Sequence, residues 1–116
     1  MKTLLYIAPH LSTGGAPQYL LRKLELLLTE YDIHVVDFKE FGIFRVQKDQ
    51  IIELLKNPLI TLGDDKYEIM THIKNIKPDI IHFEEMPELF SISDELSHLI
   101  YHPNRKYKIF ETSHDS

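Results

Sequence analysis

The chain has 116 residues, enough for one domain with a single buried core. Its hydrophobic fraction of 43% and charged fraction of 27% are typical of a globular protein and exclude a collagen-like or intrinsically disordered chain. The net charge of −5 argues against nucleic acid as the main partner, because phosphate binding requires clustered lysine and arginine. The lack of cysteine excludes disulfides, thiolate metal sites and cysteine nucleophiles.

The N-terminal apolar run, residues 3–8, carries no membrane or export signal. It is too short for a transmembrane helix, which needs about 20 residues. It also lacks the longer apolar region and the small-residue cleavage site of a signal peptide. The sequence therefore predicts a cytoplasmic protein without a transmembrane segment, and it leaves peripheral contact with a membrane surface open.

Compact apolar runs alternate with amphipathic stretches along the whole chain. Continuous apolar runs predict strands that are covered on both faces, and leucine and isoleucine at helical spacing predict helices with one buried face. The predicted elements, in chain order, are a strand at 4–8, a helix from Ala16 or Pro17, a strand at 33–38, a short helix after Asp49, a strand at 59–62, a helix around 69–76, a strand at 79–84, a helix around 96–100 and a strand at 107–112.

This alternation of strands and helices predicts the fold class. Strands joined by helices of this length form right-handed crossovers, which give a parallel sheet with helices on both faces. We expect residues 1–116 to form a single α/β domain with a doubly wound, Rossmann-like sheet of about five strands in the order 3-2-1-4-5.

In such sheets, ligands bind outside the carboxyl ends of the strands, where the strand order reverses. Polar residues follow the first, fourth and fifth predicted strands, and we expect them to lie at one edge of the sheet. They are His10, Ser12, Thr13, Gly14 and Gly15 after the first strand, His82, Glu84 and Glu85 at the fourth, and Ser113, His114 and Asp115 after the fifth.

The Gly14-Gly15 pair stands at a predicted helix start. Glycine lets the backbone approach a ligand closely, and a helix start offers unpaired N–H groups and positive dipole charge to a phosphate or diphosphate. The alternative is a strand-to-helix turn that binds nothing. The pair belongs neither to a GxGxxG motif nor to a P-loop, because the Lys-Ser/Thr of the P-loop is missing.

Among the histidines, His114 is the strongest candidate for chemistry, because it follows the last strand directly and neighbours Asp115. An imidazole with a pKa of roughly 6.5 can donate to a sugar hydroxyl or carry a proton. His82 lies within a predicted strand, where a hydrogen-bonded core histidine is an equal alternative. Glu84 and Glu85 could bind hydroxyls or orient His114, and adjacent loop carboxylates are also often only solvated.

Three segments resemble the N-terminal domain of family 4 glycosyltransferases of the GT-B fold. They are residues 5–18 (LYIAPHLSTGGAPQ), 77–84 (KPDIIHFE) and 110–115 (FETSHD), and they stand in the order found in that family. The resemblance implies the acceptor-side domain of an enzyme that transfers a sugar from a nucleotide-sugar, such as a UDP- or GDP-sugar, to an acceptor hydroxyl, with retention of anomeric configuration and without a metal or other cofactor.

The resemblance also implies roles for individual residues. Gly14 and Gly15 would approach the donor diphosphate, and His114 would be the catalytic residue that contacts the transferred sugar. The glycan acceptor would lie in a cleft lined by His10, His82, Glu84, Glu85 and Asp115. The chain departs from the family at Glu84, which stands where the family has the second histidine of an HxH motif.

The resemblance further implies a second, C-terminal Rossmann-like domain that binds most of the nucleotide-sugar, and no such domain is present in these residues. We therefore expect the isolated chain to have little or no transferase activity.

Two other classes of function stay open. A metal-dependent hydrolase could use an N/O ligand set for zinc or manganese, although the spacing matches no recognised motif, and a non-catalytic α/β binding module is the other alternative. The candidate ligands are His10, His82, Glu84, His114 and Asp115.

Overall fold

A computed structural model of the chain describes residues 1–10, 15–39, 46–62, 68–84 and 98–112. The helices and strands within these ranges are β1 (Lys2–His10), α1 (Gly15–Leu27), β2 (Tyr31–Lys39), α2 (Val46–Leu54), β3 (Ile60–Thr61), α3 (Glu68–Ile76), β4 (Ile80–Glu84) and β5 (Lys108–Thr112). A short helical turn at residues 98–100 precedes β5. The order of elements follows the sequence prediction. The third strand is shorter than expected, and α2 begins earlier.

The five strands form one parallel sheet in the order β3-β2-β1-β4-β5. The central strand β1 pairs with β2 on one side and with β4 on the other, so that Leu4 lies between Ile33 and Ile80. On the outer side of β4, Ile80 pairs with Lys108 of β5. The predicted doubly wound, Rossmann-like α/β fold and its strand order are confirmed.

Alternate residues of each strand face two separate hydrophobic cores, one on each side of the sheet. In β1, Leu5 and Ile7 contribute to one core, and Leu4, Tyr6 and Ala8 contribute to the other. The first core is completed from α3 and the helical turn before β5, and the second from α1 and α2. The helix residues concerned are Ile69, Ile73 and Ile100 in the first core and Leu20, Leu24 and Ile51 in the second.

The end of α3 determines how the chain enters β4. Lys77 has a φ of 53°, in the left-handed region, and its N–H donates to the carbonyl of Ile73 at 3.0 Å. This left-handed residue closes the helix, and Pro78 follows, whose ring cannot continue it. The N–H of Asp79 then donates to the carbonyl of Thr3 at 2.8 Å, which places β4 beside β1.

A buried carboxylate connects β3 to the rest of the sheet. The Asp37 side chain in β2 is fully buried, and the hydroxyl of Thr61 in β3 donates to its Oδ1 at 2.5 Å. The backbone carbonyl of Asp37 accepts the N–H of Leu62 at 2.9 Å. Since β3 has two residues, these side-chain and backbone bonds provide a large part of its attachment.

We predict that Thr61→Val lowers the free energy of unfolding by about 1–2 kcal/mol, because the buried Asp37 carboxylate loses a hydrogen-bond donor. The matched control is Thr29→Val, since the Thr29 hydroxyl donates to the Leu26 carbonyl at an exposed position. We expect the control to change stability by less than about 0.5 kcal/mol. Urea unfolding followed by circular dichroism measures both variants, and equal losses would contradict a special role for the Asp37–Thr61 bond.

Candidate functional site

The carboxyl ends of β1, β4 and β5 lie at the same edge of the sheet, because all five strands are parallel. The strand order reverses between β1 and β4: the chain goes outward from β1 through β2 to β3, and then returns to the other side of β1 to form β4. Such a reversal leaves a crevice above the strand ends, since the connections leave the two strands on opposite faces. We call this region the carboxyl edge.

The described elements bring part of the predicted site to the carboxyl edge. His10 is the last residue of β1, Glu84 is the last residue of β4, and Gly15 is the first residue of α1. The register aligns Ile7 with Phe83, so that β1 extends about 7 Å beyond β4. The remaining predicted site residues, which are Gly14, Glu85, His114 and Asp115, lie outside the described residues.

His82 lies within β4, two residues before the end of the strand, and therefore about 7 Å below the carboxyl edge. Its ring packs against that of Tyr6, the residue beside it in β1, with centroids 5.1 Å apart and planes at 43°. The side chain is half-buried. His82 thus belongs to the margin of the core on the α1 side of the sheet and does not follow the strand as a loop residue.

The surroundings of His82 keep its ring neutral. Burial removes water from the imidazolium form, and this desolvation is the main reason why the pKa of His82 falls from 6.5 to about 4. The positive charge of Lys23, on α1 above this face of the sheet, lowers the pKa further. At neutral pH the ring therefore has one nitrogen that donates and one that accepts a hydrogen bond.

Asp37 is a polar residue near the carboxyl edge that sequence reasoning missed. It lies in β2 next to Ala8 of β1, two residues before β2 ends. The carboxylate is enclosed and receives the Thr61 hydroxyl, which assigns it to holding β2 and β3 together beneath the edge. The signal was an acidic residue within the otherwise apolar run Val35–Phe38, where a carboxylate requires a specific partner.

The described part of the chain contains neither a metal-binding cluster of side chains nor a membrane-spanning helix. No three histidine, aspartate or glutamate side chains come together there to hold a metal ion. No helix among the described residues is long and apolar enough to cross a membrane.

No protein-family model matches the chain, and no curated protein matches it. The fold and the site geometry consequently define the class of protein. It is a doubly wound, Rossmann-like α/β protein whose strand order reverses between β1 and β4, where such folds bind their ligands.

We predict that His82 makes the stability of the fold depend on pH. Below pH 6.5 the unfolded chain gains a proton at His82, whereas the folded chain resists protonation until about pH 4. The free energy of unfolding therefore falls as the pH is lowered through this window, by about 2–3 kcal/mol from this residue, and the loss is complete below the folded-state pKa.

The measurement is urea unfolding at a series of pH values between neutral and pH 4. His82→Gln should flatten the curve above pH 5, where few carboxylates titrate. His98→Gln, at an exposed position of the helical turn, is the control and should leave the slope unchanged. Parallel curves for the wild type and His82→Gln would refute the prediction.

Proposed function

We propose that the chain is the N-terminal, acceptor-side domain of a retaining glycosyltransferase, which transfers a sugar from a nucleotide-sugar to an acceptor hydroxyl. The observation that supports this proposal is the convergence of three distant sequence segments. The family resemblance is carried by residues 5–18, 77–84 and 110–115. Of these, residues 5–10, 80–84 and 110–112 lie in β1, β4 and β5 and lead to the carboxyl ends of those strands. These are three adjacent strands of the sheet, although residues 19–76 separate the first segment from the second.

In this proposal the donor diphosphate binds where α1 begins. Gly15 is the first residue of α1, so that the free N–H groups and the positive end of the helix dipole are directed toward the carboxyl edge. A glycine there leaves room for the phosphate oxygens to approach the backbone. Gly14 precedes it and takes part in the same contact.

The acceptor lies in this proposal against the ends of β1 and β4. His10 and Glu84 end these two strands. The family resemblance also assigns Glu85 and Asp115 to acceptor binding. His82 lies below the ends of these strands, and its ring is neutral. A neutral imidazole can accept a hydrogen bond from a sugar hydroxyl, or from another residue that binds the sugar hydroxyl. His114 contacts the transferred sugar and helps to stabilise the charge that develops at the reacting carbon.

Sugar transfer further requires a cleft that is closed from both sides, so that water is excluded and the donor carbon is held against the acceptor hydroxyl. The five-stranded sheet forms one wall. The C-terminal nucleotide-sugar domain of the proposed enzyme would form the other wall. On its own, this chain should bind nucleotide weakly and turn over little or no sugar.

We predict that ~1 mM UDP or GDP shifts the amide resonances of Gly15 and of the last residues of β1 in NMR spectra of the labelled chain, because a millimolar affinity suffices to populate the complex. Gly15→Val should abolish these shifts by crowding the phosphate. Glu25→Val, at an exposed position in the same helix, adds the same side chain away from the edge and should leave them unchanged.

The absence of shifts at the carboxyl edge in the wild-type chain would refute nucleotide binding by this domain. Two further results would contradict the wider proposal. A radiolabelled transfer assay that shows robust turnover by the 116-residue chain would contradict the need for a second wall. Stoichiometric zinc or manganese in the purified protein would favour the metal-dependent hydrolase instead.

A further inference from the structure

The amino-terminal edge of the sheet, at the opposite end from the candidate site, carries exposed basic side chains on the half formed by β1, β4 and β5. They come from the start of β1, the end of α3 and the segment that leads into β5. These residues, the amino-edge basic patch, are Lys2, Lys74, Lys77, Arg105, Lys106 and Lys108.

Backbone hydrogen bonds bring the three parts of the patch together. The N–H of Asp79 donates to the Thr3 carbonyl at 2.8 Å, and the N–H of Lys108 donates to the Asp79 carbonyl at 3.0 Å. The starts of β1, β4 and β5 are therefore neighbours, at a strand spacing of about 4.8 Å. Lys2 and Lys108 lie on strands about 10 Å apart, so that their charges reinforce each other mainly at low salt, where screening is weak.

The segment before β5 is held in place by its own arginine. The Arg105 Nη1 donates to the carbonyls of Tyr101 at 3.4 Å and His102 at 3.2 Å, and the Arg105 N–H also donates to His102. The Tyr107 hydroxyl donates to the Ile100 carbonyl at 2.6 Å. Lys106 thus extends from an anchored loop rather than from a free tail.

Among the described residues, the acidic side chains at the starts of β1, β2, β4 and β5 are Glu30, Asp32 and Asp79, which are fewer than the basic ones. Asp79 lies within the patch, and its Oδ2 accepts the Thr3 N–H at 2.9 Å. Asp32, at the start of β2, accepts the side-chain amide of Asn57 at 2.8 Å. Positive charge therefore increases from β2 toward β5, although the chain as a whole has a net charge of −5.

Large apolar side chains are exposed at the same end of the molecule. Met1, just before β1, is 81% exposed, and Leu26, in the last turn of α1, is 74% exposed. Leu99, in the helical turn before β5, is 42% exposed. Basic side chains combined with exposed apolar ones are characteristic of surfaces that lie on anionic lipid, where the cations meet headgroups and the apolar groups enter the interface.

We propose that the amino-edge basic patch docks the protein on an anionic lipid membrane. Nucleic acid fits less well, because the large exposed aliphatic side chains gain nothing from phosphate, whereas they can enter the interface of a lipid membrane. A nine-residue strand such as β1 is about 30 Å long, so docking by this end holds the carboxyl edge away from the membrane. For the substrate this implies a soluble acceptor, a consequence that rests on the proposed function, whereas the docking itself does not.

The test is cosedimentation of the full chain with vesicles of phosphatidylcholine that contain about a third phosphatidylglycerol, compared with pure phosphatidylcholine, at ~0.05 M and ~0.5 M salt. We expect binding to the anionic vesicles at low salt and its loss at high salt. The double variant Lys106→Glu, Lys108→Glu should weaken binding about 25-fold or more, since each lysine at an anionic surface contributes about fivefold.

The matched control is Arg22→Glu with Lys23→Glu, two exposed positions in the middle of α1 that change the net charge by the same amount. It should weaken binding less than about threefold. Circular dichroism establishes that each variant is folded, and Lys106→Gln, in the loop, replaces the double variant if that one unfolds. Equal weakening by both pairs, equal binding to neutral vesicles or salt-insensitive binding by the wild type would overturn the proposal. Tighter binding to a DNA duplex than to anionic vesicles at the same salt would also overturn it.

Discussion

The structure depends on the burial of β1 on both faces. Residues Leu4 to Ala8 are each at most 5% exposed, which means that side chains pointing to opposite sides of the sheet are covered equally. A single layer of helices cannot cover both faces, and parallel neighbours require connections that cross over the sheet. Burial of the apolar run of β1 therefore requires helices on both faces of the sheet and a paired strand at each edge of β1.

The reversal of strand order follows from that requirement. α1 covers one face of β1 and leads to β2 on one side, whereas α3 covers the other face and leads to β4 on the other side. The reversal at the carboxyl edge, where folds of this class bind their ligands, thus results from the formation of the two cores. Beneath this edge, the Asp37–Thr61 hydrogen bond joins β2 to β3. On the α1 side of the sheet, the His82 ring packs against the Tyr6 ring.

The sequence was sufficient for the fold because β1, β2 and β4 are apolar runs and α1 and α3 have regular apolar spacing. The predicted boundaries were less accurate where the apolar pattern is irregular: α2 begins at Val46 rather than after Asp49, and β3 is limited to Ile60–Thr61.

The roles of Asp37, Lys77 and the amino-edge basic patch could not be predicted, since each depends on tertiary structure. The partner of Asp37 is 24 residues away, Lys77 adopts a left-handed conformation without being glycine, and the patch assembles from three separated segments. For the candidate site, the sequence identified the strand ends at His10 and Glu84, but it could not define the packed position of the His82 ring.

The pairing of β1 with β4 has a consequence for how the chain folds. The hydrogen bond from the Thr3 N–H to the Asp79 carboxylate spans 76 residues, and the neighbouring backbone pairs span similar distances. At a synthesis rate of roughly 5–20 residues per second, several seconds pass between the synthesis of β1, the most apolar strand, and that of its second neighbour β4. Pairing two strands across so long a stretch of chain makes folding slow. One edge of β1 also stays unpaired until β4 has been made. The stage at which β1, α1 and β2 are complete and β4 is still to come therefore exposes an apolar strand edge.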